Sequence, residues 1–196
     1  MRTSLALFLA SSMLLVACEQ RPDYLAVEDD LTDTSWTLLD QDSTAVTFPA
    51  DLGGKPMLLS AVYTNCPDVC IMTMRNLREV HQALGADTAN VTFTVVSFDP
   101  ARDTPSRLRA YADTWRIGPG WRLLTGDSTT VASFMDRIDV RYEISRRDTL
   151  LSGDTIYSIS HTDKALLIDA DGQVLETYSG SASPAEQIAG DIRELF

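Results

Sequence analysis

Side chains that bind soft metals or carry redox chemistry are scarce in this chain: its 196 residues hold three cysteines and two histidines. Cations are short as well, with 16 lysines and arginines against 28 aspartates and glutamates, for a formal net charge of −12. That deficit argues against nucleic acid or an anionic lipid surface as a partner, because each needs a basic face to neutralise phosphate. No internal repeat or low-complexity tract interrupts the chain. Apolar runs of membrane-spanning length are missing too. The longest, Leu5 to Ala17 behind Arg2, is too short for a comfortable span and has the form of a secretory signal.

That run ends Leu15-Val16-Ala17-Cys18, which resembles the bacterial lipobox. The resemblance implies cleavage before Cys18 and acylation of its thiol and new amine, and several acyl chains on one residue anchor stably. The organisation expected is a lipoprotein signal over 1–17, a lipid-anchored acidic tether over 18–34 and one domain over 35–196. The domain would stand in the bacterial cell envelope, outside the cytoplasm. With Cys18 taken by lipid, Cys66 and Cys70 remain as a pair. Outside the cytosol such a pair oxidises unless a reductant or a metal holds it.

From Ser35 onward strands and helices alternate. Trp36 to Leu39 and Ala45 to Phe48 read as a hairpin. Pro56 to Tyr63 is a nearly continuous apolar run, as in a central buried strand, and Val91 to Phe98 is the next strand. Between them Val69 to Leu84 carries a helical stripe at Cys70, Met74, Leu77 and Leu84, with Gly85 as its stop. Thr104-Pro105 opens a helix to about Trp115, Trp121 to Leu124 is a short strand, and Ser128 is expected to cap a helix to about Arg137. Arg141 to Ile159 reads as an inserted hairpin turning at Ser152-Gly153-Asp154. Lys164 to Ile168 and Val174 to Tyr178 flank the turn Asp171-Gly172, and Ser183 to Glu186 reads as a capping box for the last helix. The fold class is α/β: a central mixed sheet flanked by helices, with an N-terminal hairpin and an inserted hairpin before the C-terminal strands. A thiol pair behind a central strand, at the start of a helix, is the thioredoxin-type arrangement.

Four-residue spacing sets the chemistry of Cys66 and Cys70. On a helix, positions i and i+4 lie on one face about 5–6 Å apart at Cβ. A disulfide wants about 3.5–4.5 Å, so a fully helical pair would be strained. Pro67 suggests that Cys66 precedes the helix, which relaxes this. An ion filling the gap between two sulfurs is more tolerant, so the spacing favours metal without excluding exchange. The helix N-terminus lowers nearby thiol pKa values, and two thiolates favour Cu(I) or zinc. A plain structural disulfide stays an alternative. Of the histidines, His81 is eleven residues beyond Cys70, about 16 Å along the helix axis, and reads as a surface or half-buried residue. His161, a lone loop histidine, is by chemistry alone more often bland than a ligand. Met74 lies on the core stripe; Met72 is a candidate loose outer ligand.

Three ordered motifs carry a wider resemblance. They are Tyr63-Thr64-Asn65-Cys66-Pro67-Asp68-Val69-Cys70, then Asp99-Pro100-Ala101-Arg102-Asp103-Thr104, then His161-Thr162 ahead of Leu167 to Gly172. Together with Gly54-Lys55-Pro56 they resemble the SCO/SenC family of copper-binding proteins that serve cytochrome c oxidase assembly, over roughly Ser35 to Phe196. The resemblance implies a thioredoxin-like fold and copper, as Cu(I) or Cu(II), held by Cys66, Cys70 and His161. It gives Asp99 two candidate roles, supporting the site from behind or docking a partner, beside the plain one of capping the turn to Pro100. Two positions depart from the family pattern: Ile71 replaces a proline after the second cysteine, and Ser160 replaces an aspartate before the histidine. The second removes an acidic neighbour that would orient His161.

The function implied is a metallochaperone that delivers copper to the dinuclear copper centre of the oxidase. Its partners would be the copper-site subunit, a small periplasmic copper chaperone and a thiol reductant. The rival is an enzyme, a thiol-disulfide oxidoreductase that keeps a partner's copper-site cysteines reduced through Cys66 and Cys70. A peroxidase is weaker, for want of recognisable peroxide-binding residues. A third class is a lipoprotein whose thiols serve structure or docking.

Overall fold

The structure, a computed structural model, describes residues 22–52, 54–149 and 155–196. The signal sequence, Cys18 and the Ser152-Gly153-Asp154 turn lie outside the described residues. In chain order the strands are β1 (Asp29–Asp30), β2 (Trp36–Asp40), β3 (Ala45–Phe48), β4 (Met57–Val62), β5 (Thr92–Ser97), β6 (Trp121–Thr125), β7 (Tyr142–Thr149), β8 (Thr155–His161), β9 (Ala165–Ile168) and β10 (Gln173–Tyr178). The helices are α1 (Val69–Leu84), α2 (Pro105–Trp115), α3 (Ser128–Arg137) and α4 (Ala185–Arg193).

Eight strands form one mixed sheet in the order β1-β10-β9-β4-β5-β6-β2-β3. Its centre is parallel, β4 beside β5 and β5 beside β6. Such strands are covered on both faces, and β4 is buried at every position, which is why the segment lacks alternation. Antiparallel strands extend it on either side: β9 joins β4, and β2 joins β6. The β9–β10 connection turns at Gly172, whose φ of +89° lies in the region that favours glycine. Helices α1 and α4 pack together, while α2 rests on β6 and β2. The inserted segment forms a separate two-stranded ribbon, β7–β8.

Helix ends follow local chemistry, with two departures from expectation. Thr104 caps α2 through Arg107 N at 3.4 Å, ahead of Pro105. At α3 the cap is Asp127, not Ser128: one carboxylate oxygen accepts from Thr129 N and Thr130 N at 3.0 and 2.9 Å. A carboxylate reaches two orphan donors and complements the helix dipole, so the serine becomes the first helical residue. No capping box forms at α4, because the Ser183 hydroxyl accepts from Ser179 N at 3.1 Å and Pro184 takes the cap position without a side-chain bond.

The acidic stretch expected as tether packs on the domain over its described part, residues 22–34. Leu25 and Leu31 are 0 % and 1 % exposed. Glu28 N donates to Val174 O at 2.8 Å, and β1 pairs antiparallel with β10. Asp29 and Asp33 are not merely solvated charge: both engage Arg137 at the end of α3. Two leucines six residues apart in an acidic segment make neither a continuous strand alternation nor a helical stripe, which is why the pattern alone missed them. Leu25→Ala and Leu31→Ala should each lower the unfolding free energy by about 2–5 kcal/mol in urea titrations. A change below about 0.5 kcal/mol, normal for exposed positions, would mean that the segment does not dock.

Candidate metal centre

The thiols are positioned by the end of β4 and the first turn of α1. Tyr63 is buried, and its carbonyl accepts from Cys66 N at 3.2 Å, turning the chain. Asp103, fully buried, clamps this turn: its carboxylate accepts from Thr64 N at 2.9 Å, Thr64 Oγ1 at 2.6 Å and Ser97 Oγ at 2.5 Å. The Asp68 side chain makes no cap at the start of α1. The Cys66 sulfur faces that helix start instead and accepts from Cys70 N at 3.4 Å. Cys70 lies in the first turn at 0 % exposure, whereas Cys66 is 9 % exposed. Both are free thiols.

His161 arrives from the far end of β8. Its Nδ1 lies 2.9 Å from Thr162 O and so donates to that carbonyl, leaving the Nε2 lone pair 3.2 Å from Cys70 Sγ. Thr162 thus orients the ring where an acidic neighbour is missing, and Ser160 points to solvent. The ring lies 4.7 Å from Phe98, centroid to centroid, and meets Tyr63 edge-on at 6.4 Å. The donor atoms of Cys66, Cys70 and His161 all lie within 4.8 Å of one another.

Behind the histidine, Asp163 ties the loop to α1 and to the chain before α4. It accepts from Thr73 Oγ1 at 3.1 Å, Ser179 Oγ at 2.9 Å, and Ser181 N and Oγ at 3.0 and 2.7 Å. A Cβ on Gly180 would fall 2.6 Å from Asp163 Oδ1, so only glycine lets the chain approach this closely. Neither Asp103 nor Asp163 was singled out from sequence. The first sat unremarked inside the Asp99–Thr104 motif; the second had no signal beyond standing two residues after His161.

Asp99 is 4 % exposed, but its carboxylate accepts from Arg102 and from the Tyr157 hydroxyl, the latter at 2.7 Å, rather than reaching the thiols. His81 is remote from the group, packed against the rings of Phe93 and Trp121. Met74 is buried in the core, while Met72 and Ile71 are exposed on α1.

The three donors do not titrate alike. The hydrogen bond from Cys70 lowers the Cys66 thiol from 9.0 to about 4, against the opposing effect of burial, with further help from His161 and backbone N–H groups. Cys70 moves the other way, pushed up by that same bond and by burial, so it keeps the proton the pair shares. For His161 burial acts downward, but the interaction with Cys66 and the bond to Thr162 outweigh it and raise its pKa. At neutral pH the group therefore holds one thiolate and one thiol beside an imidazole. Two clefts reach it. One of about 340 Å³ runs past Cys66, Ile71, Tyr111 and Trp115; another of about 420 Å³ runs past His161, Tyr142 and Arg141.

A thioredoxin-like α/β domain with two thiols and an imidazole converging at a helix start defines a class of soft-metal or redox proteins. The SCO1/SenC family model matches residues 26–196, and the chain belongs to that family. A solved structure of Bradyrhizobium japonicum ScoI with copper bound is similar at 31% identity and a TM-score of 0.70, covering 83% of this chain and 98% of that one. A SCO1/SenC family lipoprotein from Bacillus anthracis is similar at 26% identity and a TM-score of 0.69, over 87% of this chain and 99% of that one. An SCO2-like protein of Rickettsia conorii is 28% identical over 70% of this chain; the match spans 64% of that relative's length.

The asymmetry of the thiols has a measurable consequence. An acid whose folded pKa is depressed stays ionised down to that value, and the stability it confers is complete above its unfolded pKa and lost as pH falls through the folded one. For Cys66 that window runs from 9.0 down to about 4. In the reduced, metal-free protein, alkylation of Cys66 should therefore be nearly flat through neutral pH and decline only in acid. Cys70→Ala, which removes the largest cause, should move that decline toward alkaline pH. A parent profile rising through the ordinary thiol range would contradict this charge assignment.

Proposed function

We propose that the protein binds one copper ion through Cys66, Cys70 and His161 and hands it on as cargo, a metallochaperone for the dinuclear copper centre of cytochrome c oxidase. The observation that carries this reading is the convergence of those three donor atoms within 4.8 Å. The donor chemistry fits copper: thiolates are soft and select Cu(I) or zinc, and imidazole also suits Cu(II). Structural zinc sites take four protein ligands. Among the described residues the group has three members and no fourth His, Cys, Asp or Glu.

A two-coordinate or three-coordinate ion beside open clefts suits transfer by ligand exchange, in which an incoming sulfur replaces one donor at a time. The copper-bound ScoI relative supports the choice of metal. For the location, we read Cys18 as the lipid-bearing residue, with the domain anchored to a membrane of the cell envelope and held outside the cytoplasm. The related Bacillus anthracis lipoprotein supports this, and among the described residues no helix is long and apolar enough to cross a membrane.

A second reading, thiol-disulfide exchange with a partner's cysteines, is favoured by one observation: a thiolate at Cys66 beside a protonated thiol at Cys70 is the charge state of an attacking and a resolving cysteine. The two readings separate at His161. On the copper reading, the reduced protein takes up one copper per chain, Cys66→Ser or Cys70→Ser abolishes tight binding, and His161→Ala weakens it by about 10–100-fold, most for Cu(II). Uptake should also release at least one proton per copper, that of Cys70, because the ligand is the thiolate. If His161→Ala bound both copper states like the parent while the pair turned over a disulfide substrate, exchange would be the function.

A further inference from the structure

The β7–β8 hairpin carries His161, yet no backbone ladder joins it to the main sheet among the described residues. Strand β7 is exposed along nearly its whole length. Period-two alternation puts Tyr157, Ile159 and His161 on one face of β8, the face turned to the domain. What fixes that face is side-chain chemistry. Ile159 N donates to the Tyr63 hydroxyl at 3.2 Å, and Tyr142 stacks on Phe98 at 5.3 Å. Beside the His161 contacts with Cys70 and Phe98, a further tie runs through Arg102.

Arg102 is bonded on every side that bears on the hairpin. Its Nε pairs with the buried carboxylate of Asp99, and its Nη1 donates to the Tyr157 carbonyl at 3.3 Å. Its guanidinium carbon lies 3.5 Å from the Tyr157 ring centroid and 5.6 Å from that of Tyr63. Tyr157 closes the loop by donating its hydroxyl to Asp99. Nη2 is buried with no oxygen partner, which leaves the ring faces to stabilise that part of the cation. One ring, Tyr63, also touches the His161 imidazole; the other, Tyr157, stands four residues before it on the same strand.

We infer that Arg102, lying over the rings of Tyr157 and Tyr63 and paired with Asp99, is the positioning residue that holds the hairpin, and with it His161, over the two thiols. A planar fork suits the place, since it donates to Asp99 and a carbonyl while its cation lies over aromatic rings. An ammonium keeps the charge but loses both the fork and the stacking. This gives the buried Asp99 its role: it anchors the cation from the β5 side. The inference rests on the copper reading in one arm of its test only.

The first arm uses the reduced, metal-free full chain and amide hydrogen exchange. Arg102→Ala should speed exchange of the Ile159 amide and its β8 neighbours at least about tenfold and leave β4 and β5 unchanged. Arg102→Lys should rescue little of this, whereas Tyr157→Phe, which keeps the ring and loses the bond to Asp99, should fall between. Unchanged exchange in β8, or an equal rise in β4 and β5, would overturn the assignment. The second arm is a double-mutant cycle on copper affinity. Arg102→Ala should weaken copper about tenfold in the parent and add nothing in the His161→Ala background, because it acts through that ring. Equal losses in both backgrounds would overturn it. A parent that bound no copper would end the copper reading, while the exchange arm would still decide the role of Arg102.

Discussion

The 3.2 Å approach of His161 Nε2 to Cys70 Sγ joins residues 91 positions apart, and the remaining features of the site serve to make that approach permanent. Cys70 cannot move, because it is buried in the first turn of a helix that packs on α4 and β4. All of the adjustment therefore falls on the arm that brings the imidazole. That arm leaves the sheet after β6 and α3, crosses the open end as β7–β8 and re-enters as β9 beside β4. The antiparallel pairing of β9 with β4 fixes one end of the path, and Asp163 fixes the corner through Thr73 on α1. The hairpin ahead of that corner is held by side-chain contacts, so the imidazole is the donor of the three whose place depends on them most.

Three buried or half-buried carboxylates surround this arrangement, and each is satisfied differently. Asp103 takes only hydroxyl and backbone donors. Asp163 does the same. Asp99 has a cation. Neutral donors leave the Asp163 charge uncancelled, so it adds a smaller repulsion to the bond from Cys66 and the burial that keep a proton on Cys70. With Cu(I), two thiolates and a neutral imidazole sum to a single negative charge; with Cu(II) they sum to zero. The charge count alone would therefore favour the higher oxidation state, while sulfur softness would favour the lower.

How much of this was legible beforehand depends on the range of each interaction. The β4 run, the α1 stripe and the Asp171-Gly172 turn encode local geometry and were read nearly to the residue. The cysteine pair was legible because both thiols fall within five consecutive residues at the start of one helix. His161 was not: nothing periodic marks a loop histidine, and only the ordered motifs raised it. The clamps at Asp103 and Asp163 depend on hydroxyls brought in from other elements, such as Ser97, Thr73 and Ser181, which no short window contains. The cap at Asp127 was missed for a different reason. Two adjacent residues both able to cap compete, and the carboxylate wins by reaching two N–H groups at once.

Docking of the segment before β2 changes what an anchor at Cys18 would mean. A free tether over 18–34 would let the domain range about 55–60 Å from the lipid, at about 3.3–3.6 Å per extended residue. With Leu25 packed in the core and Asp23 to Leu25 closed in a turn on Pro22, only the four steps from Cys18 to Pro22 remain as leash, about 13–14 Å at full extension. The domain would then be confined close to the bilayer surface. Confinement of that kind raises the effective concentration of any acceptor held in the same membrane, as a short linker does for two joined modules. The two leucines would thus limit how far the domain can range from the membrane, a constraint on partner choice that acts without touching the site itself.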